Sequence, residues 1–245
     1  MEGKKLNYQF SIFGDFRDIS PNNSQTIIEL LSIYQDKNFI PSIFQEIPFN
    51  IIPNQINNRI MLSNKDGWQM NIGNNRIDLS ISFIEKTKYA EMGINDICKE
   101  ACEIIEKIIT KYDKKANRIA LNTIVLVDDE ISNRINSLYH KNERIADFYN
   151  TNKSNEWNEK IMSQVQEETF HNEVINVGTS INMGPGSFQI ENKITTFNGI
   201  TIQFDINTTP ANINLRFGSA DIKNFFEIAI KIKNEIESNI EEKVK

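Results

Sequence analysis

The stretch from residue 59 to residue 83 constrains the fold more than any other. Arg59–Ser63, Trp68–Ile72 and Arg76–Phe83 are three short runs rich in strand-forming residues. Their linkers, Asn64-Lys65-Asp66-Gly67 and Gly73-Asn74-Asn75, are rich in residues that accept positive φ. Short strands joined by such turns predict an antiparallel meander, which must bury one apolar face. The sequence supplies a cover directly afterwards. Ile94, Ile97, Cys98, Ala101, Cys102, Ile105, Ile108, Ile109 and Tyr112 recur at three- and four-residue spacing, the stripe of a long amphipathic helix. Lys111, Lys114 and Lys115 follow at its end, where cations suit the helix dipole.

Upstream, residues 6–13 alternate apolar and polar as a half-buried strand does. Pro21 and Asn22-Asn23-Ser24 then mark a helix start, with Ile27, Ile28, Leu30, Leu31 and Tyr34 as its stripe. Residues 40–58 contain Pro41, Pro48 and Pro53 and read as irregular.

The second half repeats this order. Ile119–Val127 reads as a strand, Asp129–Phe148 as a helix and Glu156–Thr169 as another. Glu173–Asn182, Ser187–Thr196 and Ile200–Asn207 read as strands. Met183-Gly184-Pro185-Gly186 and Asn198-Gly199 join them, and Asn-Gly is a strong hairpin-turn signal. Ser219 can cap a final helix with Ile222, Phe225, Phe226, Ala229, Ile232 and Ile236 on its apolar face.

The expectation is an α+β fold with internal duplication, residues 1–115 and 116–245 each giving strand, helix, three-strand meander and long helix. Two such sheets can join into a saddle or half-barrel with a free concave surface or groove.

A run resembling a known family runs through this pattern. Trp68-Gln69-Met70-Asn71-Ile72-Gly73 with Arg76-Ile77, Arg118-Ile119-Ala120 entering a strand, and Ile200–Asn207 with Asp205 together resemble a sporadically distributed bacterial family of similar length. No activity or catalytic residue comes with the resemblance. Its patchy distribution implies a mobile-element or phage-conflict context.

Bulk properties narrow the function. The chain has 245 residues, 39% of them hydrophobic and 24% charged, with a net charge of −6. That is a globular composition, large enough to form a core without a metal or disulfide staple. The acidic balance argues against general nucleic-acid binding, which needs a surplus of Lys and Arg. No run approaches the ~20 apolar residues of a membrane span, and Leu6-Asn7-Tyr8-Gln9 is no export segment. With two cysteines, Cys98 and Cys102, inside a helical stripe, a reducing cytoplasm is the expected compartment.

Candidate chemistry is sparse. Asp128-Asp129-Glu130, directly after a strand, could hold a divalent cation for phosphoryl chemistry; the competing reading is a helix cap and an acidic first turn. Asp78 and Glu85-Lys86-Thr87-Lys88 lack the spacing of a nuclease set. His140 and His171 are the two histidines, and neither shows a partner in the sequence. Cys98 and Cys102 share a helix face but fall among apolar residues, as buried thiols do. Gly184-Pro185-Gly186 and Asn198-Gly199 are expected to be exposed hairpin tips able to touch a partner.

The leading expectation is therefore a non-enzymatic protein-interaction or regulatory subunit, with no cofactor and no metal, acting through a sheet surface or hairpin tips. The first alternative is a metal-dependent phosphodiesterase or nucleotide-acting enzyme centred on Asp128, Asp129 and Glu130. The second is a small-ligand binder using the space between sheet and helix.

Overall fold

The computed structural model describes residues 3–46, 57–83, 87–139, 156–190 and 193–244. The chain is mixed α+β, and its described residues form an antiparallel sheet of nine strands that does not close. In chain order the elements are β1 (Gly3–Gly14), α1 (Ser24–Ile33), a short 3-10 turn (Gln35–Lys37), β2 (Ile40–Glu46), β3 (Asn57–Ser63), β4 (Trp68–Ile72) and β5 (Arg76–Ser82). They continue with α2 (Ile94–Lys111), β6 (Ala116–Val127), α3 (Asp129–Tyr139), β7 (Trp157–Glu167), β8 (Glu173–Ile190), β9 (Lys193–Thr208) and α4 (Ser219–Val244). The strand order is β2-β3-β4-β5-β1-β6-β9-β8-β7.

Period-2 patterning places the core. Tyr8, Phe10 and Ile12 of β1 are buried, as are Ile77, Leu79 and Ile81 of β5 and Ile119, Leu121, Val125 and Val127 of β6. Cross-strand register aligns them: Phe10 pairs with Leu79 on one side and Leu121 on the other. Trp68, Met70 and Ile72 continue the layer on β4, and Ile202, Phe204 and Ile206 on β9. The described helices all lie over this apolar face. α2 and α4 pack side by side, α1 flanks α2 and β2, and α3 flanks α4 and β9. Phe226 of α4 meets Phe10 edge-on at 5.1 Å, and the buried Tyr34 hydroxyl donates to the Ile104 carbonyl of α2 at 2.7 Å. At the far end a smaller cluster gathers Ile135, Ile181, Ile200, Ile202, Phe204 and Val244.

The first-half meander, both long helices and the Asn23 cap of α1, whose side chain accepts from Gln25 N, follow the sequence reading. Several expectations need correction. Residues 40–58 were expected to be irregular; 40–46 form β2 and 57–63 belong to β3. Pro41 is tolerated because β2 is at the end of the described strand order, where one side of the backbone needs no ladder bond. Residues 156–169 were expected to be a helix; Trp157–Glu167 form strand β7 instead. Gly184, Pro185 and Gly186 are not a hairpin tip. They lie inside the 18-residue β8, opposite Gly199, Asn198 and Phe197 inside β9. Two breaks that read as separate turns thus pair with each other. A side chain at Gly186 would meet the Phe197 ring unless that ring moved, so the glycine here serves close approach rather than a turn. The expected helix 129–148 is described as α3 over 129–139; its remainder, with His140, lies outside the described residues, as do Pro48, Phe49, Pro53, Glu85 and Lys86.

Candidate functional site

The acidic triplet sits where the helix-start reading puts it. Asp128, Asp129 and Glu130 are all exposed. The Asp128 carbonyl accepts from Ser132 N at 2.8 Å, and Glu130 pairs with Arg134 at 2.6 Å one turn on. Among the described residues, no group of three or more His, Cys, Asp or Glu is placed to hold a metal ion. Cys98 is buried and Cys102 half-buried on α2; the hydrogen bond with Cys102, together with burial, pushes the Cys98 thiol far up.

His171 has a partner that the sequence did not reveal. It takes positive φ in the turn between β7 and β8, and its Nε2 lies 2.7 Å from Asp221 Oδ1 in the first turn of α4. Asp221 also accepts from Gly218 N at 2.9 Å. Burial opposes ionisation of Asp221, but the His171 and Gly218 bonds outweigh it and hold the carboxyl below its usual range. The pair fastens the turn to the helix start.

Two larger features stand on opposite faces of the sheet. The face turned away from the helices is lined by amides and hydroxyls. β1 contributes Asn7, Gln9 and Ser11, β4 Gln69 and Asn71, β6 Asn122, β9 Thr201, Gln203 and Asn207, β8 Asn176, Ser180 and Asn182, and β7 Gln164 and Gln166. Many already bond to one another across strands. Gln164 donates to Asn176 at 2.9 Å, Asn176 to Asn207 at 3.1 Å, and Asn207 to Asp205 at 3.1 Å. Arg118 donates to Asn207 at 3.0 Å, while Gln9 and Ser11 both donate to Asp78 Oδ1. Phe13 lies between two guanidinium groups, 4.7 Å from Arg118 and 5.7 Å from Arg76. In this network the cations Arg76 and Arg118 are matched by Asp78 and Asp205, while Lys4 and Lys160 and the apolar Ile124, Leu126 and Met162 share the same face, which is polar and sparsely charged. At its far end Gly184, Pro185, Gly186 and Gly199 line a pocket of about 430 Å³ with Trp157 and Phe197. The predicted contact residues are therefore brought together, as paired strand residues.

The helix-covered face has a gap. Between α4 and the inner surface of β7 and β8 runs a groove of about 940 Å³. Ile161 and Val165 of β7 and Val177 and Ile181 of β8 form its floor, and Ile228, Ile232, Ile236, Ile240 and Val244 of α4 its wall. Among the described residues, no aromatic side chain lines it. Ile161 is 55% and Val165 38% exposed, large values for aliphatic residues on the apolar side of a sheet. Sequence reasoning allowed for space between sheet and helix but missed where it lies and what lines it, because its floor strand was read as a helix.

No family model and no curated protein matches the chain. The functional reading therefore rests on the chain's own geometry.

Proposed function

We propose that this chain is a non-enzymatic recognition protein that docks a protein partner on the open face of its sheet. The observation that carries the proposal is the surface itself: an antiparallel sheet whose described helices lie on one side, leaving a broad, sparsely charged array of Asn, Gln, Ser and Thr on the other. Amides offer donors and acceptors in the same side chain, which suits hydrogen bonding to another polypeptide. Sparse charge suits phosphate recognition poorly, since that gains its strength from clustered cations.

The strand order supports a reading of the chain as two similar halves, 1–115 and 116–245. Moving outward from the central β1–β6 pair, it runs β5, β4, β3, β2 on one side and β9, β8, β7 on the other. In each half the first strand is central, the last strand of the meander pairs with it, and a long helix closes the unit. Such a duplication joins two sheets into one continuous binding surface of twice the width, consistent with the expected saddle. The compartment proposed is the cytoplasm, where the two unpaired cysteines of α2 would stay reduced. The second reading, a small-ligand binder, is favoured by one specific observation, the aliphatic groove between α4 and β7–β8.

A tagged full-length chain, used as bait in lysate of the source cells, tests the proposal against an Ile124→Arg/Gln203→Arg variant. These residues are cross-strand neighbours near the centre of the open face. The expected result is a stoichiometric protein partner held by the parent and lost by the variant, with far-UV circular dichroism unchanged. A parent bait that retains no protein, or a variant that retains the same one, overturns it.

A further inference from the structure

The groove beside α4 has a length, a volume and a chemistry that suit a helix. On α4 its wall repeats at four-residue spacing from Ile228 to Val244, about 24 Å at 1.5 Å per residue. α4 packs on β6 and β9. Helices pack about 8–10 Å apart and strands lie about 4.8 Å apart, so the next helix position falls over β8 and β7. A helix about 10 Å across, half-embedded along 24 Å, displaces roughly 900 Å³, close to the groove's 940 Å³. A single hydrocarbon chain is far thinner and would leave much of that space to water.

Charge along the rim selects the occupant further. Lys231, Glu235 and Lys243 of α4 line the groove's edge, and none of the three has an ion-pair partner among the described residues. Their order, positive, negative, positive, at steps of four and eight residues, defines the complementary helix. Running antiparallel to α4, which opposes the two helix dipoles, it carries an acidic residue, a basic one eight positions later and an acidic one four after that. Its buried stripe is aliphatic, matching the isoleucines and valines of floor and wall.

We propose that this groove binds an amphipathic α-helix of about 17 residues from a partner protein, with an aliphatic stripe and an acidic–basic–acidic flank. The site lies on the opposite side of the sheet from the open face and stands whether or not that face docks a partner.

The probe is a synthetic 17-residue peptide with an aliphatic stripe at helical spacing, Glu at positions 2 and 14, Lys at position 10 and an N-terminal fluorescein. Fluorescence anisotropy with the full-length chain reads its binding. Saturable binding with a Kd of about 1–50 µM is expected. Ile161→Asp or Val165→Asp should weaken it about tenfold or more, with melting temperature unchanged, because both side chains are substantially exposed in the free protein. Lys231→Glu/Lys243→Glu should weaken it about fivefold, and a peptide with Lys at positions 2 and 14 should restore it. The Ile124→Arg/Gln203→Arg variant should bind the peptide as the parent does, which separates failure of this site from failure of the open face. Absence of binding at about 1 mM, indifference to Ile161→Asp, or failure of the swapped peptide to restore binding overturns the proposal. Saturation of the groove by the fatty acid cis-parinaric acid, with no peptide binding, overturns it in favour of a lipid site.

Discussion

At the scale of single residues, polar contacts fix the joints of this fold. Arg59 is 3% exposed, although it carries a charge. It donates to the carbonyls of Phe16, Ile72 and Gly73, pinning two loops at one end of the sheet. His171 and Asp221 do comparable work at the start of α4. Asp221 is held below its usual range, so its contribution is present above the unfolded value of about 3.9 and is lost as pH falls through the folded value. Asp221→Asn should therefore lower the melting temperature at pH 7, and the gap to the parent should narrow towards pH 2–3. The carboxylate is half-buried and its partner His171 is exposed, so solvent screens the pair and the neutral-pH loss should stay near or below about 1 kcal/mol. Melting curves at the two pH values check this; a gap that widens in acid would contradict it.

At the scale of elements, the sequence was legible where one period held and misleading where two agreed. The α2 stripe from Ile94 to Tyr112 fits a helix alone. β7 does not discriminate, because Trp157, Ile161 and Val165 are four apart, and residues four apart share a face in helices and strands alike. β8 and β9 were cut in the reading by glycines that accept a neighbouring ring or a tight approach rather than a turn, as Gly186 beneath Phe197 demonstrates. The groove was hidden by the same error, since a floor read as a helix leaves no floor. The open polar face had been anticipated only as a sheet surface; its lining depends on strand order, which a single chain does not spell out. α4 also carries an element-scale test. Lys233 is 4% exposed and pairs with Glu237 at 2.6 Å beneath the helix. Lys233→Met alone leaves Glu237 without its cation and should cost about 3–5 kcal/mol. Lys233→Met/Glu237→Leu should return to within about 1 kcal/mol of the parent or exceed it. Urea denaturation of the three proteins measures both, and additive losses would refute the account.

At the scale of the whole molecule, the two halves share a seam rather than a linker. β1 and β6 pair over most of their length, α2 and α4 pack across that junction, and the larger core cluster draws on both halves, from Phe10 to Phe226. The halves should therefore unfold together. Differential scanning calorimetry should give one transition with calorimetric and van't Hoff enthalpies in agreement, and two resolved transitions would show that they are independent domains.

The sparsely charged lining of the open face has one more consequence. Contacts between clustered charges fade as ionic strength rises, with a screening length of about 10 Å at 0.1 M and 3 Å at 1 M. Amide dipoles paired at hydrogen-bond distance are barely affected by such screening. A partner held by Asn and Gln would stay bound through a concentrated salt wash that strips charge-held contaminants, and its encounter rate would owe little to long-range steering.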